Sequence, residues 1–128
     1  MTSKPVVIIP DTLRPRPSDL ERKVAILLAR HFHSAVQFVR PKSNTRTADC
    51  IIMGQTWEIK SPQTDKINTL QKLLRHASTQ SPNVVVDLRR SKMNVNQALS
   101  RLHYLLKSIP HLKHVLVVTK SNKVLIIK

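Results

Sequence analysis

Residues 83–87, Asn-Val-Val-Val-Asp, can be accommodated in few architectures. A short apolar run without polar alternation reads as a strand buried on both faces, and such a strand needs a covering layer on each side. The flanking sequence supplies the layers. Asp65 to about Thr79 carries Ile67, Leu70, Leu73, Leu74 and Ala77 on one side of a predicted helix. Asn94 to about Ser108 does the same with Val95, Ala98, Leu99, Leu102, Leu105 and Leu106. A third helix, Asp19 to about His33, is announced by Ser18 as N-cap with Glu21 three residues on, a capping-box pattern, and should bury Leu20, Val24, Leu27 and Leu28. Ala35–Val39 reads as a strand, and residues 114–128 as a strand pair turning at Ser121-Asn122. With the hairpin described next, the order is α β β β α β α β β: an α/β fold with a mixed β-sheet flanked by helices. Prolines 5, 10, 15 and 17 make residues 1–17 an extended N-terminal segment and linker, with one short extended piece at Val6–Ile9. Residues 18–128 form a single domain.

The hairpin is Asp-Cys-Ile-Ile-Met-Gly-Gln-Thr-Trp-Glu-Ile-Lys, residues 49–60, built around Gly54, the one glycine of the chain. A two-residue turn at Met53-Gly54 needs positive φ, which Gly supplies at no steric cost. Such a turn sets Ile52 against Gln55, Cys50 against Trp57 and Asp49 against Glu58, with Lys60 on the same face as Glu58. Opposed residues have Cβ atoms roughly 4.5–5.5 Å apart, where like charges repel. Two carboxylates with a lysine beside them suit a hard divalent cation such as Mg²⁺. A solvated hairpin face is the competing reading of this spacing.

Charge bears on that choice. Twenty-two Lys and Arg stand against seven Asp and Glu, a formal net charge of +15. A polyanionic partner follows, nucleic acid before a membrane surface, because the basic residues are spread along the chain and not gathered in one amphipathic helix. No apolar stretch approaches the roughly 18 residues of a membrane helix. Cys50 stands alone, so an internal disulfide and a thiolate metal site are both excluded. The six histidines lack metal-ligand spacing, and a metal-free histidine-pair ribonuclease is the mechanistic rival. Trp57 reads as core, which leaves Tyr104 and Phe38 as aromatic side chains for stacking on bases.

The order αβββαβ, with Asp49 heading the second strand and Glu58-Ile59-Lys60 in the third, resembles the PD-(D/E)XK (restriction-endonuclease-like) nuclease core. Ala48-Asp49 stands where that core often has Pro-Asp. The stretches Thr47–Pro62 and Gln80–Met93 further resemble the C-terminal tRNA-nuclease toxin domain of contact-dependent growth inhibition (CdiA-type) proteins, over about residues 18–128. A helix and a C-terminal β-hairpin follow the core. The resemblance implies a metal-dependent endonuclease that hydrolyses phosphodiester bonds, with tRNA as the favoured substrate, in interbacterial competition. It implies Asp49 and Glu58 as metal-binding carboxylates, Lys60 as the catalytic lysine and Glu21 as an acidic residue contributed by the first helix. It also implies a divalent ion, Mg²⁺ before Mn²⁺ or Zn²⁺, and an immunity protein as partner. Such a domain is secreted as part of a larger toxin and acts in the target-cell cytoplasm, or is cytoplasmic if the chain stands alone.

Each residue has a structural reading beside its functional one. Glu21 also completes its capping box, and Asp87 reads as an ion-pair partner more than a third ligand. Arg46, Lys66, Arg89, Arg90 and Lys92 are candidate phosphate contacts, the alternative being a solvated basic surface. An acidic immunity protein fits the charge on simple complementarity. The competing functions are a DNA endonuclease of phage or restriction type and a non-catalytic basic nucleic-acid-binding module.

Overall fold

The computed structural model describes residues 4–39 and 48–128. Its element order is β1 (Val7–Ile8), α1 (Asp19–Phe32), β2 (Val36–Phe38), β3 (Cys50–Ile52), β4 (Gln55–Lys60), α2 (Ile67–Ser78), β5 (Asn83–Asp87), α3 (Val95–Leu106), β6 (His114–Val118) and β7 (Val124–Ile126). The seven strands lie side by side in chain order in one mixed sheet. β1 and β2 are parallel, β2–β3 and β3–β4 antiparallel, β4–β5 and β5–β6 parallel, and β6–β7 antiparallel. Parallel neighbours cannot be joined by a tight turn, so α2 and α3 serve as the crossovers after β4 and β5. From α1 onward the order expected from periodicity is the order observed, and the short extended piece expected at Val6–Ile9 is not merely part of a linker but adds β1 to the sheet beside β2.

Local chemistry explains the element ends. Ser18 Oγ accepts from the Glu21 amide at 3.1 Å while Glu21 Oε1 accepts from the Ser18 amide at 3.0 Å, closing the expected capping box. α1 stops at His33, whose φ of 50° places it in the left-handed region. Asn94 caps α3 through its side-chain oxygen, which accepts from the amides of Asn96 and Gln97. Met53 and Gly54 both have positive φ, 51° and 78°, the signature of the turn that best matches strand twist in a two-residue hairpin.

The sheet is covered on both faces. Val24, Ala25, Leu28 and Ala29 of α1 pack with Cys50, Trp57, Ile59, Val85, Leu116 and Val118 on one side. On the other, Leu70, Leu74 and Ala77 of α2 and Ala98, Leu102, Leu105 and Leu106 of α3 pack on Val84, Val86, Val115 and Val117. The alternating valines of β5 thus feed two cores, and all of Asn83–Asp87 is buried as the run required. β1 pairs with β2 and Leu13 is buried at 3 % exposure, so the N-terminal segment packs on the sheet that follows it. No helix is long and apolar enough to cross a membrane among the described residues.

Candidate functional site

The strand pairing puts the chemistry-bearing residues near the middle of the sheet. β3 and β4 pair as Cys50↔Trp57, Ile51↔Thr56 and Ile52↔Gln55, the register expected from the Met53-Gly54 turn. The fourth expected pair, Asp49 opposite Glu58, is not a ladder pair. The Asp49 amide donates to the Trp57 carbonyl at 3.0 Å, one residue short of that partner. Its carboxylate Oδ2 accepts the Ile59 amide at 2.8 Å. The Asp49 side chain thus takes a donor that a continuing ladder would give to main chain, which fixes the carboxylate beside β4.

Glu58 and Lys60 align with Val84 and Val86 across the parallel ladder, so they share the sheet face covered by α2 and α3. Lys60 Nζ lies 3.4 Å from Glu58 Oε2, and the lysine side chain keeps 23 % of its exposure. Glu58 is almost wholly buried, at 1 %. Its second oxygen, Oε1, is buried and receives no hydrogen bond from any described group. Burial therefore pushes the Glu58 acid up, to about 9. The Asp49 carboxylate adds to the shift, by accepting the proton of the neutral acid and by its charge, and outweighs the opposing effect of Lys60.

An isolated protein does better with that carboxyl neutral, and a cation would reverse the preference. A buried carboxylate oxygen with no donor, beside a second carboxylate, is a hard-oxygen donor set of the kind Mg²⁺ takes. Asp49 and Glu58 therefore fit the expected metal. Among the described residues, no group of three or more Asp, Glu, His or Cys side chains is placed to hold one.

The raised acid carries a testable consequence. Below about 4.5, its ordinary value, Glu58 is protonated in both folded and unfolded chains. Between there and about 9 the folded chain holds a proton that the unfolded chain has released, so metal-free stability falls as pH rises through this window. Glu58→Gln should remove that slope and gain about 1–3 kcal/mol near pH 8 relative to wild type. Urea unfolding in EDTA at pH 5 and pH 8 measures it. Parallel pH profiles for the two proteins would sink the assignment.

Glu21 is placed differently. It is half-buried in the first turn of α1, held by its capping box, and no hydrogen bond joins it to Asp49 or Glu58 among the described residues. Its charge does reach Cys50. Burial first, then Asp49, Glu58 and Glu21, raise that thiol to about 12, which makes Cys50 an inert core residue.

The basic candidates gather in the loops after β4 and β5. Lys66 is the exposed N-cap of α2, and the Lys92 amide bonds the Gln63 carbonyl at 3.3 Å, tying the two loops together. Arg90 and Lys92 are exposed. Arg89 is engaged: Nε and Nη2 each lie 2.9 Å from an Asp87 oxygen, and Nη2 also donates to the Leu20 carbonyl at 3.1 Å. Asp87 is fully buried and accepts further from the Arg89 amide and from Ser61 Oγ. Arg46 lies outside the described residues.

One feature of the site has no sequence signal of its own. α2 and α3 begin just after β4 and β5 end, and the Arg89 contact to Leu20 draws the first turn of α1 to the same edge. The N-termini of α2 and α3, with no acidic residue in either first turn, point toward the edge where Lys60, Lys66, Arg90 and Lys92 sit, whereas α1 carries Asp19 and Glu21 in its first turn. This is an environment for a polyanion.

Residues 46–124 match the family described as contact-dependent growth inhibition CdiA C-terminal domain. The chain belongs to that family. Among solved structures, a chain of the CdiA-CT/CdiI toxin and immunity complex from Burkholderia pseudomallei is similar, with a TM-score of 0.68 and 24% identity. The similarity covers 96% of this chain and 98% of that one, so the CdiA C-terminal domain here shares its fold across nearly the whole length. No curated protein matches the chain.

Proposed function

We propose that this CdiA C-terminal domain is a metal-dependent endonuclease of the PD-(D/E)XK type, the toxic part of a larger secreted protein. We take tRNA, cut in the cytoplasm of the target cell, as its substrate. The observation that carries the reading is the pairing of a buried, donor-less Glu58 oxygen with Asp49 on one side and Lys60 on the other. When bound, a divalent ion supplies an acidified water and charge neutralisation at the phosphate.

The chain's own groups have distinct tasks. Asp49 and Glu58 would hold the ion, with Asp49 fixed in place by the Ile59 amide. Lys60, part-exposed and next to Glu58, reaches the substrate side and can orient the attacking water or neutralise a phosphate oxygen. Lys66, Arg90 and Lys92, with Arg46, would grip flanking phosphates, giving binding that weakens steeply with salt, whereas Arg89, expected from the sequence to join them, is taken up by Asp87 and the Leu20 carbonyl. Among the described residues Tyr104 is the one exposed Phe, Trp or Tyr side chain, so a folded RNA read mainly through its phosphates fits better than a long single strand read by stacking. An acidic immunity protein is the partner proposed for the charge of +15, and the fold shared with a chain of a toxin and immunity complex supports it.

The test is incubation of the purified domain with total tRNA and with supercoiled plasmid, each with Mg²⁺, Mn²⁺, Zn²⁺ or EDTA, resolved on gels. Discrete tRNA fragments that require the ion, beside intact plasmid, are expected. Cut plasmid would move the assignment to DNA. Cleavage that survives EDTA would move it from the carboxylates to the histidines.

A further inference from the structure

We propose that the cleft between α2 and α3 around Tyr104 is a nucleotide subsite, which holds one unpaired base of an RNA substrate by stacking. It deepens the nuclease reading and rests on it for the identity of the polymer.

Tyr104 is exposed at 69 %, whereas Phe38 and Trp57 are buried in the α1-side core and Phe32 packs against Trp57 with ring centroids 5.4 Å apart. An aromatic ring left in solvent on a helix whose other large apolar residues face the core is the exception on this surface. It does not stand alone. Tyr104 lines a cavity of about 490 Å³ with Gln71, Arg75, Leu105, Lys107 and Ser108.

Those side chains match the three parts of a nucleotide. The phenol ring offers a stacking face, sequence-tolerant because every base has one. Arg75 and Lys107 offer cations for a phosphate on either side, and the Gln71 amide can both donate to and accept from a base edge. Arg75 is pre-placed: its Nη2 lies 3.3 Å from Ser108 Oγ, which spans the cleft, and Ser108 Oγ donates to the Leu105 carbonyl at 2.9 Å. No Asp or Glu occurs after Asp87, and none between Asp65 and Asp87, so no carboxylate of α2 or α3 opposes an anion. Charge complementarity therefore selects a phosphate-bearing occupant.

The location adds a geometric statement. Tyr104 lies nine residues beyond Val95, about 13 Å along α3 from the edge that carries Lys60 and the helix N-termini. A base held there lies a few nucleotides or more from the cut, outside the site itself, which suits a folded substrate with an exposed loop.

Binding by a fluorescein-labelled RNA hairpin and by a blunt duplex of the same stem, measured by anisotropy in EDTA, tests the subsite without cleavage. Tyr104→Ala should weaken hairpin binding about tenfold and leave the duplex within about twofold, and Tyr104→Phe should bind as wild type does. Arg75→Gln and Lys107→Gln should each lower the salt slope for the hairpin by about one. Equal losses on hairpin and duplex, or a wild type that binds neither, would overturn the subsite. Unchanged hairpin affinity in Tyr104→Ala would also overturn it and leave the cleft to a protein partner. The two readings separate cleanly: tRNA cleavage with no Tyr104 effect removes the subsite alone. A Tyr104 effect on the hairpin from a domain that cuts no RNA in Mg²⁺ supports the subsite and removes the nuclease.

Discussion

Asp49→Asn and Lys60→Met are each expected to slow single-turnover cleavage of tRNA by about 10²–10³-fold, while affinity for the same RNA in EDTA stays within about threefold. The substitutions are chosen to separate chemistry from folding. Asparagine at 49 keeps an oxygen to accept the Ile59 amide, now 2.8 Å from Oδ2, and removes only the charge. Methionine at 60 keeps the stem length that covers this part of the sheet and removes the ammonium beside Glu58. The two variants should differ in one respect. Losing the Asp49 charge removes a group that raises the Glu58 acid, so in Asp49→Asn that acid falls toward the ordinary range. Losing Lys60 removes a group that lowers it, so in Lys60→Met the acid rises further. Fourier-transform infrared titration of the protonated carboxylic acid band in EDTA reads these opposite shifts directly. Full cleavage by either variant would remove that residue from the chemistry, and shifts in the same direction would break the electrostatic picture of the pair.

Much of this was legible in the sequence, for reasons that can be located. The hairpin register followed from one glycine, because positive φ at Met53 and Gly54 admits a single two-residue turn and every pair up to Cys50↔Trp57 then follows. The capping box of α1 followed from Ser18 and Glu21 because both partners are three residues apart. What failed to follow was the end of the ladder. A period of two carries Asp49 on to face Glu58, whereas its short carboxylate can replace a main-chain acceptor and peel the strand away at that residue. The depth of Glu58 was also hidden, since its 1 % exposure depends on α2 crossing over the β4–β5 pair, a long-range packing fact with no local pattern. The Tyr104 cleft is of the same kind. Arg75 and Tyr104 are far apart in the chain and meet only because both crossover helices lie on one face.

Arg89 illustrates how a basic residue can serve the site through the fold, and it leads to the largest expected loss of stability. Asp87 is fully buried at the end of β5, and its two oxygens each take a guanidinium nitrogen of Arg89 at 2.9 Å. The same guanidinium reaches Leu20 in the first turn of α1, so one ion pair fastens the sheet edge to the helix that caps the other core. Asp87→Ala should therefore cost about 3–5 kcal/mol, because a guanidinium that is largely covered loses its counter-charge while still bonded to a carbonyl. Arg89→Met should cost a comparable amount by stranding the carboxylate, which keeps only Ser61 Oγ at 3.4 Å and a main-chain amide. The double variant is expected to lose less than the sum, since no charge is then left unpaired. Urea unfolding of the two single variants and the double variant closes the cycle. Additive losses would show that Asp87 and Arg89 act independently, and the pair would then not be what holds α1 against the β5 edge.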